Sequence, residues 1–317
     1  MKTRFILNGK YKLRAIACLI LVFTSCKDEK KLAPQDLAPV NADQTQKNGV
    51  GRTSALKGVC YVEVNSNDLR NVARYTLSNG SPLFDIGIIF AANINFNTSN
   101  RTAELFFNPQ VTNVLSNRNT YVKPLQDKGI KVLLSILGNH QGAGISNFTS
   151  RASAQAFARQ LSNAVTTYGL DGIDLDDEFS EYGKNGTTQP NDSSFVFLVT
   201  ALRELMPSKI ISFYFFGPAA GKLTYNGVTV GSKVNYTWNA IYGSYNPPAV
   251  PGLAKSNLGP AAIDITTTPL STATSLANRT VSEGYGIYLY YNLPDADTHT
   301  YLSGISNALY GFGTVFK

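Results

Sequence analysis

Three carboxylates spaced two residues apart, Asp174, Asp176 and Glu178, are the residues of this chain best suited to chemistry. They end the run Leu170–Glu178, which reads L-D-G-I-D-L-D-D-E. Side chains alternate faces along a strand, so Gly172, Asp174, Asp176 and Glu178 share one face while Ile173 and Leu175 take the other. Acids on a face where a core should lie are costly unless they have a task. Stacked like charges raise at least one pKa, and a carboxylic acid so raised donates a proton near neutral pH. Glu178, at the end of the strand, is best placed to meet a substrate. An acidic surface loop would not alternate with Ile and Leu. A calcium loop of the EF-hand type would need Gly and Glu where the chain has Phe179 and Asn185.

The elements that position this column follow from the apolar pattern. Strands are expected at Gly58–Val64, Phe84–Ala91, Ile130–Leu137, Leu170–Asp176, Ile210–Phe216, Val234–Tyr242, Ala261–Ile265 and Tyr285–Tyr291, all short, apolar runs of the kind buried on both faces. Helical spacing marks Ala152–Tyr168, with Ala156, Phe157, Gln160, Leu161 and Ala164 in register and Gly169 as the stop. Further helices are expected at Val111–Gln126, at Ser193–Met206 (capped by Asp192 and closed by Pro207), at Thr272–Glu283 and at Ser303–Tyr310.

Eight strands linked mainly by helices over ~260 residues predict an α/β fold, the (β/α)8 TIM barrel. A doubly wound sheet is the alternative, but no Gly-rich dinucleotide fingerprint follows the first strand. The helix ring is expected to be incomplete after strands 5 and 6. Asn226-Gly227 marks a hairpin in the first gap, and Pro247, Pro248, Pro251 and Pro260 discourage a helix in the second. Ile94–Phe107 also alternates as a hairpin, with its tip at Thr98–Arg101.

In such barrels the site forms where strands end. That rim would carry Asn93, Asn95, His140, Phe215, Trp238, Asn239, Tyr242, Tyr245, Tyr290 and Asn292 around Glu178. Aromatic faces and amides suit sugar rings better than phosphate. The alternative for Trp238, Tyr242 and Tyr245 is the core, the usual fate of large aromatics, and for His140 a loop histidine bonded only to backbone.

The amino terminus of the 317 residues reads as targeting sequence. Lys2, Arg4, Lys10, Lys12 and Arg14 precede the apolar run Ala15–Phe23, too short to span a bilayer, and Thr-Ser leads to Cys26. The expectation is a lipoprotein-type signal over residues 1–25, with Cys26 lipidated, then a polar tether over 26–55 and a catalytic barrel over 56–317. The protein would be exported and membrane-anchored in the periplasm or at the cell surface, or else simply secreted. The formal charge of +7 loses five cations with residues 1–25, which hold no acid, leaving +2, so no nucleic-acid partner is inferred. Cys18 leaves with the signal and Cys26 is spoken for, so Cys60 stands alone; neither a disulfide framework nor a cysteine metal site is expected.

The run Asp171–Glu178 resembles the D-x-x-D-x-D-x-E signature of glycoside hydrolase family 18. Tyr168–Phe195, Ile210–Ala220 with its G-P-A-A, Tyr236–Tyr245 and Glu283–Leu293 are similar to the endoglycosidase H and F branch of that family, and the similarity covers nearly all of residues 56–317. Ser135–Gly138 resembles the third-strand S-x-G-G with Leu137 as a departure, and Tyr242-Gly243 stands where family chitinases carry Tyr-Asp. The resemblance implies an endo-β-N-acetylglucosaminidase. It would cut the β-1,4 bond in the chitobiose core of Asn-linked high-mannose or hybrid glycans with substrate-assisted retention, an exception to the two-carboxylate scheme. Glu178 would be the acid, Asp176 the holder of the acetamido N–H, Asp174 its proton-sharing neighbour and Tyr242 the donor to the acetamido oxygen. No cofactor or metal is implied, and the expected partners are Asn-linked glycans, with membrane contact only through the lipid and a monomeric state. Only about 20 residues separate strands 7 and 8, too few for the folded insertion that deepens many family chitinases. The alternatives are a chitinase-like hydrolase and a catalytically silent glycan-binding barrel.

Overall fold

A computed structural model describes residues 55–317. Its centre is a ring of parallel strands: β1 Lys57–Glu63, β2 Ile86–Asn97, β3 Lys131–Gly138, β4 Gly172–Leu175, β5 Ile210–Phe215, β6 Tyr236–Asn239, β7 (Ala261–Asp264) and β8 Ile287–Tyr291. Neighbours pair in chain order, and β8 returns to β1. The seventh position divides its partners. Leu258–Gly259 pairs with β6, Ala261–Asp264 pairs with β8, and only Pro260, which has no N–H to donate, separates them. The ring is therefore closed, and the chain is the expected (β/α)8 barrel.

The helix layer is incomplete as expected. Helices α1 Pro109–Ser116, α2 Arg151–Tyr168 and α3 Ser194–Leu205 follow β2, β3 and β4, while α4 Leu270–Ser282 and α5 His299–Tyr310 follow β7 and β8. After β5 come a 3-10 turn and the hairpin Thr224–Tyr225 with Val228–Thr229; after β6 there is no α-helix. The segment after β1 is also reduced, to the 3-10 helix Leu69–Arg74. The hairpin after β2 is present, β2 running on to Asn97 and pairing antiparallel with Thr102–Phe106.

Three local expectations are corrected. Val111–Gln126 is not one helix: it breaks at Asn117, whose side chain bonds the Asn113 carbonyl, and again before Pro124, giving α1 and the short turns Arg118–Tyr121 and Lys123–Asp127. Asn191, not Asp192, caps α3, its Oδ1 accepting from the Ser193 and Ser194 backbone N–H groups, while Asp192 pairs with Lys222. In α2 the buried stripe is Ala154, Phe157, Ala158, Leu161, Ala164 and Val165, leaving Ala156 exposed. The Ser150 capping box and left-handed Gly169 end that helix as its sequence requires.

Two apolar layers result. One lies between strands and helices and takes Ile173 and Leu175 of β4. The other fills the barrel interior with Val59, Tyr61, Ile86, Ile88, Leu133, Trp238, Ile287 and Leu289, closing the space beneath the site. The interior is tight at β4, where a Cβ on Gly172 would lie 1.9 Å from the Ile210 carbonyl oxygen. Cys60 is a free, buried thiol pushed up by burial, as its apolar setting implies.

Candidate active site

The acid column rises from β4 at the carboxyl end of the barrel. Asp174, at its foot, has no solvent exposure. Both of its carboxyl oxygens are occupied: Tyr61 and Ser135 donate to Oδ2 at 2.7 and 3.0 Å, and Ser212 donates to Oδ1 at 2.7 Å. Burial raises its pKa, and the three hydroxyls pull the other way. Tyr61 is itself fixed by a bond from Trp238 Nε1 (2.9 Å). Three hydroxyls thus clasp Asp174.

Asp176 differs. Its backbone N–H is spent on the Ile136 carbonyl, the side chain is almost wholly buried, and Oδ1 has no partner among the described residues. Burial first, then the charges of Glu178, Asp174 and Asp177, push its pKa well above the usual carboxylate range. A buried, unpartnered acceptor at the mouth of a barrel is arranged for a donor that the protein does not supply. Glu178, half-buried above it, is raised by burial alone. The column therefore offers, from foot to mouth, a clasped carboxylate, a strained acceptor and a proton donor.

Glu178 is held by its own loop. The segments after β3 and β4 run side by side, with Gly138, His140 and Gly142 donating to the carbonyls of Glu178, Phe179 and Ser180 at 3.0, 2.7 and 2.7 Å. Gly138 is obligatory, since a Cβ there would lie 2.3 Å from the Glu178 carbonyl oxygen. His140, Phe179 and Glu181 all take positive φ, rare for side-chain-bearing residues. His140 bonds Glu181 through Nδ1 (2.8 Å) and stands beside Phe179 with ring centroids 5.4 Å apart, so it is a rim residue rather than one bonded only to backbone.

An aromatic wall faces the column. Tyr242 stacks on Tyr291 at 4.8 Å and 15°, and its hydroxyl bonds that of Tyr214, which in turn donates to the Ala240 carbonyl (2.6 Å). Burial raises all three phenols, Tyr291 to about 12, so each stays a neutral donor across the working pH range. Asn93 reaches the Leu137 and Gly138 carbonyls, Asn95 accepts from Asn139, and Asn292 accepts from Asn67 and contacts Thr266.

Five expected rim residues lie elsewhere. Phe215 and Tyr290 point outward into the strand–helix layer, where Tyr290 meets Phe84 edge-on, because their faces are one residue out of step with the interior positions Tyr214 and Tyr291. Trp238 points inward but is wholly buried below the site, serving Tyr61. Asn239 bonds Ile241 and Ser244 and shapes the loop that carries Tyr242. Tyr245 lies on the outer wall under Arg279, 3.8 Å from its ring centroid. Cys26 lies outside the described residues. The sequence reading missed Tyr61, Ser212 and Tyr214. A register placing Ser212 beside Asp174 would have found Tyr214, two residues further along the same face.

Comparison with known proteins adds the context. The model of the family "Glycosyl hydrolases family 18" matches residues 57–283. Over 258 residues, 81% of this chain and 82% of the relative, the sequence is 54% identical to an endo-beta-N-acetylglucosaminidase of Flavobacterium sp. (strain SK1022). It is 35% identical over 311 residues to endo-beta-N-acetylglucosaminidase F1 of Elizabethkingia meningoseptica, covering 93% of this chain and 91% of that protein. The fold is similar to that of Bacteroides thetaiotamicron EndoBT-3987, solved with Man9GlcNAc2Asn substrate, at a TM-score of 0.74 and 27% identity, over 85% of this chain and 68% of that one. The same protein with Man5GlcNAc product gives 0.75 and 28%, this chain spanning 63% of its length.

Proposed function

The chain belongs to glycosyl hydrolases family 18, and from that premise we propose that it is an endo-β-N-acetylglucosaminidase. It cuts between the two core N-acetylglucosamines of Asn-linked glycans, the high-mannose class first. Two close relatives carry that activity in their names, and the similar EndoBT-3987 was solved with a Man9GlcNAc2Asn substrate. The observation that carries the reading is Asp176, a buried carboxylate with an oxygen unpartnered among the described residues, which feels the charge of the half-buried acid Glu178 two residues on. An acetamido N–H is the donor that fits it.

Glu178 gives its proton to the glycosidic oxygen as the bond from that oxygen to the anomeric carbon breaks. The acetamido oxygen of the same sugar bonds the anomeric carbon from the other side, giving an oxazolinium ion and a free leaving sugar. Asp176, as the carboxylate, accepts the acetamido N–H and balances the positive charge, and Tyr242, turning its O–H away from Tyr214, donates to the acetamido oxygen. Water then adds to the anomeric carbon, Glu178 takes its proton, and the acetamido group is restored with the anomeric configuration retained. Asp174 does not touch the sugar; its clasp fixes the column from below, with Tyr61, Ser135 and Ser212 as positioning residues.

The connection from β7 to β8 holds α4 and no folded insertion, which favours a branched chain attached to a protein over a chitin strand in a deep cleft. The β2 hairpin, His140 and Asn292 follow the carboxyl ends of β2, β3 and β8. Residues 56–317 act as the catalytic domain of a monomer, exported and held to a membrane through lipid on Cys26 and the tether at 26–55. The test of function is mass spectrometry of a Man9GlcNAc2-Asn glycopeptide and of chitin oligomers after incubation. Release of Man9GlcNAc, with one N-acetylglucosamine left on Asn and chitin untouched, is expected; cleavage of chitin alone would transfer the chain to the chitinases.

A further inference from the structure

Asp177 stands between two members of the acid column, yet no step above uses it. Its side chain turns to the opposite face, is buried, and gathers donors from three loops. Ser146 Oγ, after β3, donates to Oδ2 at 2.6 Å, and so does the Ala219 backbone N–H, after β5, at 2.7 Å. The Tyr182 hydroxyl, after β4, donates to Oδ1 and itself accepts from the Ser146 backbone N–H (3.1 Å). Two glycines make the room. Gly217 holds φ +66° where a Cβ would lie 2.2 Å from the Asp177 carbonyl oxygen, and a Cβ on Gly144 would lie 2.4 Å from the Tyr182 hydroxyl. A carboxylate accepts all of these bonds, whereas a carboxamide in its place must turn a donor toward one of them.

We propose that Asp177 is a positioning residue of the hydrolase, tying the loops after β3, β4 and β5 to the peptide that carries Asp176 and Glu178. A fixed anchor there sets where the Glu178 proton meets the glycosidic oxygen, and a misplacement of 1 Å at such a point costs about 10²-fold in rate. Its buried charge acts on the column as well, since it is one of the charges that raise Asp176. The inference rests on the glycosidase reading above.

The test is Asp177→Asn with Man9GlcNAc2-Asn glycopeptide, measured as kcat, KM and the pH profile of kcat/KM. The expected result is a kcat lowered by about 10–10²-fold with KM within about threefold, and an acid limb moved to lower pH, because removing a neighbouring negative charge eases ionisation of Asp176. A kcat within about threefold of the parent, or a rate lowered equally at every pH with the limb in place, would overturn the proposal. Should Asp177→Asn not fold, Tyr182→Phe removes one donor and keeps the charge. There the expectation is a kcat lowered by about three- to tenfold at unchanged KM with the limb unmoved; an unchanged kcat overturns the anchor. The unmutated enzyme is the separate control. If it releases no glycan the hydrolase reading fails, whereas normal release by it and by the variants sinks only the role of Asp177.

Discussion

At the scale of the residue, the three acids divide labour through their surroundings rather than through their identity. Asp174 has three hydroxyl donors, Asp176 has an unpartnered oxygen, and Glu178 is half in water. Glu178→Gln keeps shape and removes the proton, so steady-state assays should find a rate lower by at least ~10²–10⁴-fold while circular dichroism finds the fold intact. Asp176→Asn should be as inactive for a different reason, and it should be more stable. Its pKa in the fold is raised well above the value of an unfolded Asp. The native state therefore binds its proton more tightly, and stability is lost as pH rises from about 4 through the folded pKa. An amide carries no such loss, so melting curves of variant and parent should diverge as pH rises, with the variant higher at pH 7. A variant that melts below the parent at neutral pH would contradict the assignment of Asp176 as a strained acceptor.

At the scale of the element, closely approaching backbone does the positioning. Gly138 of β3 lets the Glu178 carbonyl approach, and Gly172 of β4 lets β5 approach. Gly138→Ala should push the Glu178 peptide aside and lower kcat by about 10–10²-fold while the barrel persists, which circular dichroism and kinetics together would establish. The same scale explains what could be read in advance. All eight strands, both hairpins and the gaps after β5 and β6 were legible, since apolar runs, Asn-Gly and proline clusters act locally. The inward face was legible only in β4, where acids mark it. The other strands are covered on both faces and read as unbroken apolar runs, so alternation does not say which side faces in. Hence Phe215 was expected where Tyr214 lies, and Tyr290 where Tyr291 lies, each one residue out of step. Asp177 was passed over because its partners Ser146, Tyr182 and Ala219 come together only through loop conformation.

At the scale of the barrel, a closed ring with its helix layer reduced after β1, β5 and β6 carries the acids at its carboxyl end, with Tyr214, Tyr242 and Tyr291 near them. The lipid proposed at Cys26 is tested at the scale of the whole chain. A fatty-acid label or mass shift carried by the expressed protein and lost in Cys26→Ser, with glycan release unchanged in detergent, is the expected outcome; an unlabelled parent would leave simple secretion. The claim on which the account turns is that the substrate's own acetamido group is the nucleophile above Asp176. Its most direct test is proton NMR of the first product formed from Man9GlcNAc2-Asn, read before the free sugar interconverts. The account predicts the β-anomer of the new reducing-end N-acetylglucosamine, and appearance of the α-anomer first would contradict it.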